Sequence, residues 1–414
     1  MGEELETSFE HAKDARSFSL SSGEGETKRS VAMVLNNFSE RGGLELYAHK
    51  LIEGLVSNGW WVTVFCQRSD SLFSHENLKV EKFATPPSGS PKAQRIAIAS
   101  ENAARQIALQ GPFDIVHSQH FLLEGADVVT FHNHTVYRLS DCGLNWERLL
   151  NRLKLQLLPA YKMRAHVDQV LCSTSKVLIF PSKICQADFD VHYQISKSHD
   201  KRSVMVAHPG ATSADIDQEK ELAAVPQTPF TFLFVGRGYR KKGLDVLLDA
   251  VQILKSKGFS CQLLVAGLRF KPIDKARLKR RGIDKIVSYL GFRTDMDNVY
   301  RSAAAIVLPS RVEPFGMAPV EGMLHGLVPI VSKVCGVAET LNNEKDALIF
   351  ENQLSAKELA DCMARLITDQ KLVARLRTNA LAKAKELDWQ KSLSITEMAY
   401  QTVLSHQSKH THAV

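Results

Sequence analysis

Two doubly wound α/β domains facing each other across a cleft are the architecture this sequence predicts, and three observations predict it. The chain has 414 residues, too many for one ordinary core, so two domains are the natural expectation. Short apolar runs of strand length alternate with segments of helix length, the pattern of strand–helix–strand crossovers and therefore of parallel sheets. The pattern begins near residue 31 and starts afresh at residue 230, each time with a strand that runs into a glycine-bearing loop and then a helix.

In the first half, residues 31–35 read as a strand, Gly42-Gly43 as the loop, 44–57 as an amphipathic helix and 62–65 as the next strand. Further strands are expected at 114–117, 127–131, 177–180 and 204–207, with helical connections over 92–109 and 145–166. Residues 215–228 are mostly polar, contain Pro226 and read as a linker. The second half opens with the strand 230–235, the loop Gly236-Arg237-Gly238-Tyr239-Arg240-Lys241-Lys242-Gly243 and a helix to about residue 254. Strands follow at 262–266, 286–290, 305–308 and 328–331, and beyond residue 355 nearly everything is helical. Residues 1–29, rich in Ser, Gly and Glu, read as a disordered tail, leaving 30–213 and 214–388 as the two domains.

Composition narrows the class. A hydrophobic share of 44% is that of a soluble globular protein, and no apolar run reaches membrane-spanning length. The acidic, polar N-terminus is unlike a secretory signal. Seven scattered cysteines without a C-x-x-C spacing favour a reducing cytosol over a disulfide framework or structural zinc. A cytoplasmic protein is therefore expected. The net charge of +7 suits contact with phosphates or an anionic surface, and no nucleic-acid partner is expected.

The chemistry concentrates in Glu313-Pro-Phe-Gly-Met-Ala-Pro-Val-Glu321. Glu313 is expected in the loop at a strand's carboxyl end and Glu321 in the first turn of the next helix, with Pro319 tolerated there because early helical positions need no N–H partner. Gly316 lets a ligand approach the backbone closely. Free N–H groups at a helix start suit a phosphate, and neighbouring carboxylates suit sugar hydroxyls. Together they point to a nucleotide-sugar. Arg237 and Lys242, in the loop after the second half's first strand, would neutralise a diphosphate, the first as a planar fork and the second as a point charge. A solvated basic turn is the plainer account of the same residues.

Other candidates divide the same way. Gly42 and Gly43 either admit a donor phosphate or merely shape a strand-to-helix turn. His132 and His134 would share one side of an extended segment, but no third ligand is apparent nearby, and a hydrogen-bonding role for His132 at the cleft is preferred to a metal pair. Asp295-Met-Asp297 opens a helix, where capping explains the acids better than metal binding. Residues 145–166 mix leucines with Arg148, Arg152, Lys154, Lys162 and Arg164 against the single acid Glu147. Such a stripe is either a core-facing side with a wet back or a surface for an anionic membrane.

On these residues the chain resembles the retaining glycosyltransferases of the GT-B fold, family 4. GRGYRKKG, QLLVAG and EPFGMAPVE carry the likeness, which runs from Val31 to about Val403. The resemblance implies two Rossmann-like domains, with Arg237 and Lys242 holding the donor diphosphate. It implies Glu313 on the transferred sugar, Glu321 on the ribose, and the backbone of Phe315, Gly316, Met317 and Ala318 near sugar and phosphates. Gly42, Gly43 and His132 would face the donor from the first domain, and the last helix, around 389–404, would cross back onto that domain. The implied reaction moves a hexose from a nucleoside diphosphate sugar, a UDP-sugar by preference, to a glycan or glycolipid hydroxyl, with the anomeric configuration kept and without cofactor or metal. Where many members have Gly-Gly, this chain reads Val-Cys335-Gly336-Val-Ala-Glu339, a form similar to the lipopolysaccharide core glucosyltransferases. A nucleotide-sugar epimerase of related fold, a sugar phosphorylase and a non-catalytic sugar-nucleotide binding module are the rival readings. No G-x-G-x-x-G with an acid some 20 residues on supports a dinucleotide dehydrogenase.

Overall fold

The computed structural model describes residues 29–197, 202–211 and 229–411, so the expected tail, the expected linker and the boundary at 213/214 lie almost wholly outside the described residues. The first half runs β1 (Ser30–Val34), β2 (Asn37–Phe38), α1 (Gly43–Ser57), β3 (Trp61–Cys66), β4 (Arg68–Ser69), β5 (Leu78–Lys82), α2 (Lys92–Gln110), β6 (Ile115–Ser118) and β7 (Val128–Thr130). It continues with α3 (Arg138–Asp141), α4 (Asn145–Leu157), α5 (Pro159–Thr174), β8 (Val177–Phe180), α6 (Lys183–Tyr193) and β9 (Ser203–Val206). The second half holds β10 (Phe230–Val235), α7 (Leu244–Ser256), β11 (Cys261–Ala266), α8 (Pro272–Arg281), β12 (Val287–Gly291), α9 (Met296–Arg301), β13 (Ala305–Leu308), α10 (Met317–Leu324), β14 (Val328–Ser332) and β15 (Leu348–Phe350). Three helices follow: α11 (Ala356–Thr368), α12 (Gln370–Glu386) and α13 (Trp389–Thr411).

Two large parallel sheets result, in the orders β5-β3-β1-β6-β7-β8-β9 and β12-β11-β10-β13-β14-β15, beside a small parallel pair of β2 and β4. The central strands β1, β8, β10, β13 and β14 are almost wholly apolar because both faces of each sheet are covered. In β1, Val31 and Met33 enter one core cluster while Ala32 and Val34 enter the cluster on the other face. In β10, Phe230, Phe232 and Phe234 face one way and Leu233 the other.

Several details depart from the expectation. Four strands were not foreseen: β2 and β4, of two residues each, β5, a charged edge strand, and β15, only three residues long. Residues 145–166 form parts of two helices, because Pro159 lacks an N–H and opens α5 while Leu158 before it is extended. Helix α10 begins at Met317, which puts Glu321 in its second turn.

The final helix leaves the second domain and lies on the first. Leu393, Ala399, Tyr400 and Val403 pack into the core beneath β1 and β3. Burying each of the larger apolar side chains is worth about 1.5–3 kcal/mol. Polar bonds fix the register: Tyr400 OH meets His117 Nδ1 at 2.8 Å, and Glu397 accepts from Trp60 Nε1 at 3.1 Å and from Asn58 Nδ2 at 3.0 Å.

Candidate active site

Strand order reverses between β1 and β6 in the first sheet and between β10 and β13 in the second. In an open parallel sheet, ligands settle outside the carboxyl ends of the strands at such a point. The two halves enclose a cleft of about 790 Å³ there, and Arg237, Lys242, Glu313, His132, Gly42, Gly43, Phe315, Gly316, Met317, Ala318 and Glu321 all line it.

The second domain contributes the charge. The loop after β10 carries Arg237, exposed, with its guanidinium 5.4 Å from the centre of the Phe292 ring. Lys242 of the same loop forms an ion pair with Glu313, whose Oε2 also accepts from Ser310 Oγ at 3.3 Å. The turn that carries Glu313 is braced from behind. Gly336 N–H donates to the Glu313 carbonyl at 3.1 Å and Val337 N–H to the Phe315 carbonyl at 2.8 Å. Gly336 thus belongs to the segment where this chain departs from Gly-Gly.

Gly316 precedes α10 with φ of 100°, and a Cβ there would lie 2.8 Å from Leu308 Cδ2. Only glycine gives this turn without strain, and it leaves the unpaired N–H groups of α10 open to the cleft. Burial pushes the Glu321 carboxyl above the usual carboxylate range, against the pull of the hydrogen bond from Tyr300 OH, and Asp297 adds to the rise.

The first domain contributes a helix start and a histidine. Gly42, with φ of 118°, caps α1, and the first turn of α1 faces the cleft. His132 follows β7; its Nε2 lies 2.8 Å from Gln119 Oε1 and its backbone N–H donates to His120 Nδ1 at 3.2 Å. Tyr47 packs edge-on against the ring at 5.1 Å. Burial, joined by the neighbouring His120 and His117, holds His132 well below the usual histidine range, so the ring is neutral near pH 7. A carboxamide oxygen can only accept, so Nε2 carries the proton and Nδ1 keeps its lone pair. Gln119 is set in turn by His117 Nε2 at 3.2 Å, and His117 by Thr130 at 2.9 Å and Tyr400 of α13.

Two readings need correction. His134 does not face the cleft with His132; it is buried against Asp188 Oδ2 at 3.0 Å. Asp295 does not cap α9 through its side chain; both its oxygens are taken by Arg293, at 2.8 and 2.6 Å.

Other residues that sequence reasoning missed hold the halves together. Glu339 accepts from the N–H groups of Lys183 (2.8 Å) and Ile184 (3.2 Å) at the start of α6, and pairs with His208 at 2.6 Å. Burial opposes its ionisation, but these hydrogen bonds outweigh burial and keep its pKa low. Ser182 Oγ donates to the Pro314 carbonyl at 2.6 Å, next to the Glu313 turn. On the other side, Arg240 pairs with Glu147 and lies 4.8 Å over Trp146. Helix α4, which bears these two residues, buries little else: Trp146, Leu149, Leu150, Leu153 and Leu157 are exposed.

Two doubly wound halves with cations and carboxylates converging on one cleft define the GT-B class. The chain belongs to the group 1 glycosyltransferases: the family described as "Glycosyl transferases group 1" matches residues 215–383, and "Glycosyltransferase Family 4" matches residues 41–210. It is 23% identical over 396 residues to the D-inositol 3-phosphate glycosyltransferase of Arthrobacter sp. (strain FB24), covering 87% of this chain and 90% of that one. In fold it is similar to WaaG, a glycosyltransferase involved in lipopolysaccharide biosynthesis, with a TM-score of 0.71 at 19% identity over 90% of this chain and 99% of WaaG. It is also similar to HepE of Anabaena, solved with UDP and glucose, with a TM-score of 0.60 at 16% identity over 93% of this chain and 99% of HepE.

Proposed function

We propose that this glycosyltransferase transfers a hexose from a UDP-sugar to a hydroxyl of a glycan or glycolipid with retention, and that it does so without a metal ion. One observation carries the reading: the Lys242–Glu313 pair lies in the same cleft as Arg237 and the start of α10, opposite a neutral His132. As the anomeric C–O bond breaks, the diphosphate gains charge, and Arg237, Lys242 and the α10 N–H groups supply the positive potential in place of a divalent cation. Glu313 and His132 Nδ1 bind sugar hydroxyls, and Glu321 binds the ribose. The acceptor oxygen bonds to the anomeric carbon on the face the diphosphate leaves, and its proton passes to a departing phosphate oxygen. Glu313, engaged by Lys242 and Ser310, serves recognition rather than a covalent intermediate. The UDP complex of HepE supports the choice of base.

The exposed leucines of α4, flanked by Arg148, Arg152 and Lys154, support peripheral contact with an anionic membrane at its cytoplasmic face. No helix among the described residues is long and apolar enough to cross a membrane.

A thermal-shift panel of UDP, GDP, ADP and dTDP, without and with magnesium, tests the donor. A ligand at about 100 times its dissociation constant adds roughly 2.7 kcal/mol of stability. UDP standing out without metal is the expected result; a shift that requires magnesium would sink the metal-free mechanism. NMR of the product's anomeric centre then tests retention.

A further inference from the structure

A second cavity, of about 600 Å³, lies wholly in the first domain beside the cleft. It sits over the carboxyl ends of β1, β3, β6 and β7, which contribute Asn36, Gln67, His120 and Asn133, at the reversal point of the first sheet. Asn133 lines this cavity and its chain neighbour His132 lines the cleft, so the two spaces share a wall.

The charge of the two spaces differs. The cleft is lined by Glu40, Glu45, Glu313 and Glu321 as well as by cations. The second cavity has no carboxylate in its lining and three cations: Lys92 and Arg95 from α2 and Arg164 from α5. Among the described residues none of these three has an acidic partner; Arg164 reaches only the His134 carbonyl, at 3.5 Å. The carboxamides of Asn36, Gln67 and Asn133 leave donors and acceptors open to the space. His120, held by Asp168 Oδ1 at 2.8 Å, adopts φ of 52°, a strained conformation for a non-glycine residue and one that tends to occur at functional sites.

Unneutralised cations beside unpaired amides suit a ligand that is both anionic and hydroxylated. Two arginines are the residues best matched to phosphate oxygens. We propose that this cavity seats the acceptor by a phosphate group, held by Arg95, Arg164 and Lys92, and presents a hydroxyl of the attached polyol past Asn133 to the donor at His132. The proposal rests on the glycosyltransferase reading and names its acceptor class: a phosphate-bearing polyol, free or as a lipid headgroup. In the transfer, the polyol oxygen gains the anomeric carbon, the carbon–diphosphate bond breaks, and the hydroxyl proton leaves on the diphosphate. The acceptor phosphate is unchanged.

Isothermal titration of the full chain, with UDP saturating the cleft and inorganic phosphate as the probe, tests this. Wild type should bind phosphate saturably, and R95A/R164A should weaken that binding at least tenfold while UDP affinity stays within twofold. R164K, which keeps the charge, should recover part of the loss. No saturable phosphate binding by the UDP-loaded protein would overturn the proposal, as would binding that survives in the double variant and is therefore adventitious. If UDP itself does not bind, the donor reading falls, and the phosphate titration of wild type against the variants still decides the cavity. Displacement of phosphate by glucose 6-phosphate would assign the free form of the acceptor. Displacement of phosphate by phosphatidylinositol vesicles but not by glucose 6-phosphate would assign the lipid form.

Discussion

On the second-domain wall of the cleft, Arg237, Lys242, Glu313 and Glu321 come from two strand–loop–helix units and reach the ligand space by their own backbone turns. On the first-domain wall, His132 depends on Gln119, Gln119 on His117, and His117 on Tyr400 at the far end of the chain. The second-domain wall places charge by local geometry. The first-domain wall places one neutral ring through a buried relay of hydrogen bonds. The contrast teaches that a site can be exacting about position on both sides and yet be vulnerable in different ways: to loss of a single charged group on one, to loss of any link on the other.

The largest blow should fall on the charged wall. Arg237→Ala and Glu313→Ala should each lower kcat/KM by about 10²–10³-fold, the range typical for removal of one transition-state contact, with an unchanged melting temperature for the exposed Arg237 and a folded but less stable protein for Glu313, whose loss leaves Lys242 without its partner. Near-normal transfer by either variant would break the assignment.

Next comes the bond between the walls. Glu339→Ala removes charge-assisted hydrogen bonds to Lys183, Ile184 and His208 and should cost about 2–3 kcal/mol in urea unfolding. Because the pKa of Glu339 is depressed in the folded state, its contribution is present above the unfolded carboxylate value and is lost as pH falls through the folded one. The wild-type advantage over the variant should therefore shrink in acid; an advantage that is flat with pH would contradict it.

Gln119→Leu sharpens the comparison on the relay side. It strands the Nε2 proton of His132, at a cost of about 1–3 kcal/mol, and should lower kcat about tenfold while UDP affinity holds. The relay also predicts a pH effect of opposite origin to that of any active-site base. Burial pushes His117 down to about 3, so the folded state binds fewer protons than the unfolded state below the ordinary histidine value. Stability should fall as pH drops from about 6.5 toward 3, and His117→Gln should flatten that slope in thermal melts.

The smallest effect on stability is expected at α4. Leu149→Ser and Leu153→Ser, both at exposed positions, should change unfolding free energy by no more than about 0.5 kcal/mol while reducing sedimentation with anionic vesicles.

The sequence made the charged wall legible and the relay nearly invisible, for a physical reason. Glu313, Gly316 and Glu321 carry their chemistry in residue type and spacing, and the strand at 230–235 coincides with β10 because an unbroken apolar run of that length has few other uses. Gln119 looks like any polar residue after a strand, and its meaning comes from partners 13 and 2 residues away and, through them, from α13. Tyr300 and Glu339 escaped for the same reason, since long-range pairing leaves no periodic trace. Asp295 misled because an acid at a helix start usually caps it, while here Arg293, two residues earlier, competes for both oxygens. In α4 the leucine stripe was read correctly as amphipathic, but a one-dimensional pattern cannot say whether its apolar side meets a core.

Helix α13 has a consequence for how the molecule is made. The strands of the first sheet leave the ribosome early, but Leu393, Ala399, Tyr400 and Val403, which close the core beneath them, are translated only after the whole second domain. The first half must wait with an uncovered apolar face while its partner is synthesised and folds. A premature stop near residue 388 would therefore spare the later-made sheet and cripple the earlier one.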